Sequence, residues 1–222
     1  PDSRLFESLG KGIEAITGKA PACVQDFRRM LDDPEVDAIV IATPDHWHAL
    51  GTILAWQAGK DVYVEKPTSH DIWESRKMIE AARACKRIVQ VGAQGRSNDN
   101  VAAGIEYAHS EAFGAIHYVR VVNSKLRPAL KPLPDAPVPE GVDYDLWLGP
   151  APMRPFNYNR FHGGWNWFWD YSGGDIVNDG VHQIDLARWL IGQKLPRTVT
   201  SIGGQYARSE ERRVGKECRS RW

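Results

Sequence analysis

The side chains best suited to chemistry fall in three short stretches. In Asp61-Val62-Tyr63-Val64-Glu65-Lys66-Pro67, a run of strand formers delivers an acid and a base directly before a proline. Val62, Tyr63 and Val64 suit a parallel strand buried on both faces. Pro67 lacks a backbone donor, so the ladder is expected to stop there. Glu65 and Lys66 then stand at the carboxyl end of a buried strand, the edge where open α/β sheets bind ligands. Low-dielectric surroundings lower the pKa of a lysine toward values useful for proton transfer. A solvated Glu-Lys pair ending a strand is the plain structural alternative.

The second stretch is late in the chain. Asn178, His182, Asp185 and Trp189 share one face of an expected helix over about 176–191, and Asp179 borders that face. A histidine beside a carboxylate suits general acid–base work, although a helix-surface ion pair would look the same. Gly173-Gly174 before it would let a ligand approach closely. The third stretch is Thr43-Pro44-Asp45-His46-Trp47-His48, which follows an apolar run and lies on the same sheet edge as Lys66. Its polar groups and helix start could meet a phosphate or ribose, or could simply cap. The two histidines have no clustered carboxylate or cysteine beside them, so no metal site is expected. Trp165 to Tyr171 is dense in aromatic residues, which could stack on sugar rings or pack a loop.

The elements that must position these groups follow from periodicity. Leu5, Leu9, Ile13 and Ile16 recur at helical spacing over residues 2–17. Gly10-Lys11-Gly12-Ile13-Glu14-Ala15 has the spacing of a loose dinucleotide fingerprint. With no strand before it, it reads as helix. A helix from about Asp26 stops at Asp33-Pro34. A buried strand over 37–42 follows, then a helix over about 47–58, the Glu65-Lys66 strand, a helix to about Cys85, and a buried strand at 88–92. Strand and helix in alternation with short links predict a parallel, doubly wound α/β sheet. Beyond Gly92 the reading is a helix over 100–110, a half-wet strand over 116–122, a proline-rich connection over 128–155, and a strand over 198–202.

Composition excludes several classes. The 222 residues carry 28 basic and 28 acidic side chains, so bulk charge recruits neither nucleic acid nor anionic membrane. No apolar run reaches membrane-spanning length. Cys23, Cys85 and Cys218 lack CxxC spacing, so neither a disulfide framework nor a zinc site is expected. Residues 208–222 break from what precedes them with six basic and three acidic side chains. They resemble the translation of a sequencing-adapter oligonucleotide, and are read as a non-native tail.

Three ordered motifs support a family resemblance. They are Ala42-Thr43-Pro44-x-x-x-His48, then Asp61-x-Tyr63-x-Glu65-Lys66-Pro67, then Gly173-Gly174-Asp175-x-x-x-Asp179-Gly180-x-His182-x-x-Asp185. In this order they resemble the Gfo/Idh/MocA family of NAD(P)-dependent oxidoreductases over nearly all of residues 1–207. The resemblance implies a partial Rossmann domain over 1–95. A partial α/β domain with an open, mostly antiparallel sheet would follow over 96–207. By resemblance, Thr43, Pro44, His48, Glu65, Lys66 and Gln94 would line NAD or NADP. Lys66 would bind the substrate hydroxyl, His182 would take its proton, and Trp165, Asp170 and Asn178 would help hold the substrate. Asp179, the nearest acid to His182, is the third catalytic candidate beside Lys66 and His182. The family usually has an acid four residues before that histidine, where this chain has Asn178.

The implied activity is hydride transfer to or from a secondary alcohol of a sugar or cyclitol. An NAD-dependent glycosidase or lyase using transient oxidation, and a non-catalytic sugar or nucleotide binder, are the alternatives. The resemblance further implies a small-molecule carbohydrate or cyclitol substrate, and a homo-oligomer is expected for the full-length protein. Neither nucleic acid nor membrane is expected as partner, and cytoplasm and periplasm both remain open. The chain reads as a fragment lacking the first strand and its Gly-rich loop, with weak cofactor binding of its own expected.

Overall fold

The computed structural model describes residues 1–123 and 130–200. Its centre is a three-stranded parallel sheet in the order β1-β2-β3, with β1 Ala38–Ile41, β2 Asp61–Val64 and β3 Val89–Val91. Ile39 pairs with Val62 and Ile41 with Val64, while Val62 and Val64 pair in turn with Val89 and Val91. These registers align the carboxyl ends of all three strands, and that alignment assembles the site.

Eight α-helices accompany the sheet among the described residues. They are α1 Phe6–Thr17, α2 Arg28–Leu31, α3 His48–Gln57, α4 Ile72–Cys85, α5 Asp99–Ala108, α6 Tyr144–Leu148, α7 Asp175–Asn178 and α8 Gly180–Ile191. Helix α4 starts at a reciprocal cap. The Asp71 carboxylate accepts from Glu74 N–H at 2.8 Å, and Glu74 Oε2 accepts from His70 N–H at 2.7 Å.

Two apolar clusters hold the chain. In the first, Ile39, Ile41, Val62 and Val64 pack with Ala49, Ala55 and Trp56 of α3 and Met78 of α4. The second is aromatic, built from Tyr144, Trp147, Phe156, Phe161, Phe168 and Tyr171 with Leu148. The expected aromatic cluster is thus mainly core, joined by residues of α6 more than a dozen positions upstream.

Several expectations are corrected. The strands were read as buried on both faces, yet Val40 is 72% exposed and Gln90 is exposed. The strand order advances in one direction, and right-handed crossovers then put α3 and α4 on the same face. The sheet is parallel but wound on one side among the described residues. The segment 116–122 carries no ladder bonds, because no described strand lies beside it. No strand of the implied antiparallel sheet forms among the described residues. The expected strand over 198–202 is absent at 198–200, and its last two positions lie outside the described residues, as does the 208–222 tail. Gly10 and Gly12 lie within α1, the helix reading of that stretch. No helix among the described residues is long and apolar enough to cross a membrane.

Candidate active site

Strand β2 ends as its sequence requires. The Glu65 N–H donates to Ile41 O at 2.9 Å and the ladder stops, with a cis peptide bond joining Lys66 to Pro67. Glu65 Oε2 accepts from Lys66 N–H at 3.2 Å, and Oε1 lies 3.5 Å from Gln94 Nε2 at the end of β3. Two residues 29 positions apart thereby share one edge. Gly92 makes this approach feasible, since a Cβ there would stand 2.9 Å from the Glu65 carboxyl carbon and both oxygens. Any larger residue would push Glu65 off the edge.

Lys66 turns toward the late helices. Its Nζ donates to Asn178 O at 2.9 Å and to Asn178 Oδ1 at 2.6 Å. Lys66, Thr68, Gly92, Gly95 and His182 line one cleft of about 430 Å³ between the sheet edge and α7–α8. Asp185, one turn beyond His182, also lines it and holds Arg96 through two bonds of 2.7 and 2.8 Å. Arg96 lies 5.1 Å over the Trp189 ring, tying the end of β3 to α8. The single helix expected over 176–191 is in fact interrupted at Asp179, between α7 and α8.

Other expected site residues are placed elsewhere. Thr43 and Pro44 line an apolar recess beside β1 with Trp47 and Trp147. His48 was expected to line a cofactor, but it is buried. Its ring nitrogens face Thr43 O at 2.9 Å and Pro67 O, so it ties the β1 turn to the β2 turn. Trp165 packs against the aromatic cluster. Asp170 pairs with Arg154 at 2.8 Å and borders a separate recess near His70 and Glu74. Expected as substrate contacts, these last two lie outside the Lys66 cleft.

The turn after β1 does something its sequence did not announce: it docks the first half of the chain on the second. His46 Nε2 and Trp47 Nε1 both donate to Trp147 O, at 3.1 and 3.0 Å. The His46 N–H donates to Tyr171 O. Ser172 Oγ donates to Asp45 Oδ2, a pair 127 positions apart. Burial raises the Asp45 carboxyl above its usual range, opposed by the Ser172 bond and the nearby charges of His48 and Lys66. The pairing of Asp45 with Ser172 carries no sequence signal, because only the fold brings them together.

Burial holds His46 down to about 4, against an ordinary 6.5. With the folded value depressed, the stability from the neutral ring is complete above pH 6.5 and drains away as pH falls toward 4. The contribution is about 3 kcal/mol. His46→Phe should therefore flatten the loss of stability between pH 7 and 4 in denaturant titrations. Equal slopes for both proteins would contradict this.

A parallel sheet whose carboxyl edge faces a cleft places this chain among open α/β proteins that bind ligands at that edge. Residues 11–93 match a family model described as oxidoreductase family, NAD-binding Rossmann fold. Residues 125–205 match that family's C-terminal alpha/beta domain. The chain belongs to the Gfo/Idh/MocA oxidoreductase family. It is 28% identical over 169 residues, 76% of its length, to levoglucosan dehydrogenase of Pseudarthrobacter phenanthrenivorans. It is 26% identical over 180 residues, 81% of its length, to the NAD(+) scyllo-inositol 2-dehydrogenase of Bacillus subtilis. The chain spans less than half of these relatives, 36% and 41% respectively. Among solved structures, the aldose-aldose oxidoreductase of Caulobacter crescentus shares the fold. Its TM-score is 0.58 at 19% identity, over 86% of this chain and 48% of that one.

Proposed function

We propose that the intact protein carrying this chain is an NAD- or NADP-dependent oxidoreductase acting on a secondary alcohol of a sugar or cyclitol. The observation that carries this reading is the single cleft lined by both Lys66 and His182 at the carboxyl edge of the sheet. The relatives named for levoglucosan and scyllo-inositol support the substrate class.

The residues present fit the nicotinamide end of the cofactor. Glu65 and Gln94 offer an acceptor and a donor side by side over the bare backbone of Gly92, a set that suits a carboxamide. Gly10 and Gly12 lie inside α1, so they form no strand-to-helix turn for a pyrophosphate. A bound nicotinamide would supply the hydride acceptor. As hydride leaves the alcohol carbon, charge grows on the oxygen, and the Lys66 ammonium stabilises it. His182 takes the hydroxyl proton. Asp179 accepts the His182 N–H through its carbonyl, which helps to orient the turn bearing that ring.

The test is to mix intact protein with NAD or NADP and a panel of cyclitols and sugars, following reduced nicotinamide by absorbance. Reduction with one substrate class supports the reading, and none with any polyol would overturn it. Cleavage of an aryl glycoside without net reduced cofactor would replace it with transient, redox-neutral sugar oxidation.

A further inference from the structure

Lys66 meets the late helix where that helix is interrupted. Helix α7 ends at Asn178 and α8 begins at Gly180, with Asp179 between them at φ −101° and ψ −39°. In an unbroken helix the Asn178 carbonyl would accept the His182 N–H four residues on. That N–H donates instead to Asp179 O at 3.1 Å. The Asn178 carbonyl accepts from Lys66 Nζ at 2.9 Å, and Asn178 Oδ1 accepts from the same nitrogen at 2.6 Å. An ammonium has three N–H groups. Two are committed to one residue, and one remains for the cleft that Lys66 lines.

We propose that Asn178 is the positioning residue of Lys66, its carbonyl and side-chain amide aligning the ammonium so that one N–H addresses the substrate oxygen. This rests on the hydride-transfer reading above. The interruption at Asp179 is part of the device, because it frees a main-chain acceptor that a continuous helix would use internally. The amide also differs from a carboxylate in kind. A carboxylate would hold the lysine but add charge favouring the ammonium form, and would offer a second proton acceptor beside it. The amide orients Lys66 without competing with His182 for the proton.

The charged and titratable groups around Lys66 include Asp45 and Glu65 at the sheet edge, Asp179 directly after Asn178, and His182, Asp185 and Arg188 across the cleft. None of them changes in an Asn178 variant. The test is competitive acetylation of Lys66 in the cofactor-free intact protein, read by mass spectrometry across pH, alongside steady-state kinetics. Asn178→Ala removes Oδ1 and keeps the carbonyl. Lys66 should then label several-fold faster, and kcat should fall about tenfold with the cofactor KM unchanged, as expected for one lost charge-assisted bond. Asn178→Asp should recover most of kcat and move the labelling midpoint to higher pH. Unchanged labelling in both variants overturns the proposal, as does faster labelling with kcat unchanged. If Asn178→Ala does not fold, an unmoved midpoint in Asn178→Asp overturns it by itself. Absence of nicotinamide reduction with any polyol would defeat the hydride-transfer reading, while the labelling would still report whether Asn178 holds the lysine.

Discussion

Lys66→Ala in the intact protein should lower kcat by about 10²–10³-fold, the usual cost of removing one donor aimed at a developing oxyanion. The size follows from where the lysine is held. It leaves the end of a strand whose last residue, Val64, is fully buried, and its ammonium is fixed by two acceptors on the opposite wall. A group fixed in this way needs no reorganisation when charge appears, which makes it worth more than a mobile surface lysine. Cofactor KM should change little, since Glu65, Gly92 and Gln94 keep their arrangement. Lys66→Arg should not restore the rate, because a planar guanidinium cannot direct its donors to the two Asn178 acceptors as a compact ammonium does. Stopped-flow measurement of reduced nicotinamide would check both variants. Wild-type turnover in Lys66→Ala would end the catalytic assignment.

Trp147→Ala should destabilise the protein by about 3–5 kcal/mol, the range for deleting a large buried aromatic side chain. Trp147 is 4% exposed and sits at the centre of the aromatic cluster. Its ring stacks on Tyr144 at 5.7 Å and contacts Phe161 and Tyr171 at 5.3 and 5.0 Å. Its carbonyl is also the shared acceptor for His46 and Trp47. The cavity would therefore open where the two halves of the chain meet. Next to it, a Cβ on Gly149 would stand 2.1 Å from the Trp47 ring, so the interface has little room to collapse into the space. Chemical denaturation gives the measurement. A loss below about 1 kcal/mol would mean that the two halves are held together by other contacts.

Much of this protein was legible in its sequence. Apolar strand formers ending in Pro67 specify a strand stop, and that stop puts Glu65 and Lys66 on an edge whatever lies around it. Ser69 or Asp71 can cap α4 by sequence, and Asp71 is the one that does, while the spacing of glycines and prolines marks most other element ends. These features depend on neighbours within a few positions, where backbone sterics and capping act directly. The three ordered motifs also carried the family.

Tertiary structure decided the rest. Whether a strand face is covered depends on which side its crossovers take, so Val40 reads as core in sequence and is exposed in the fold. His48 looks like a ligand contact until both of its ring nitrogens are found facing backbone carbonyls of two different turns. Asp45 with Ser172, and Lys66 with Asn178, are separated by 127 and 112 positions, and no local pattern encodes such pairs. The Lys66-bearing edge is thus the part the sequence already determined. What that lysine holds, and the break at Asp179 that frees a carbonyl to hold it, exist only once packing brings α7 and α8 against the sheet.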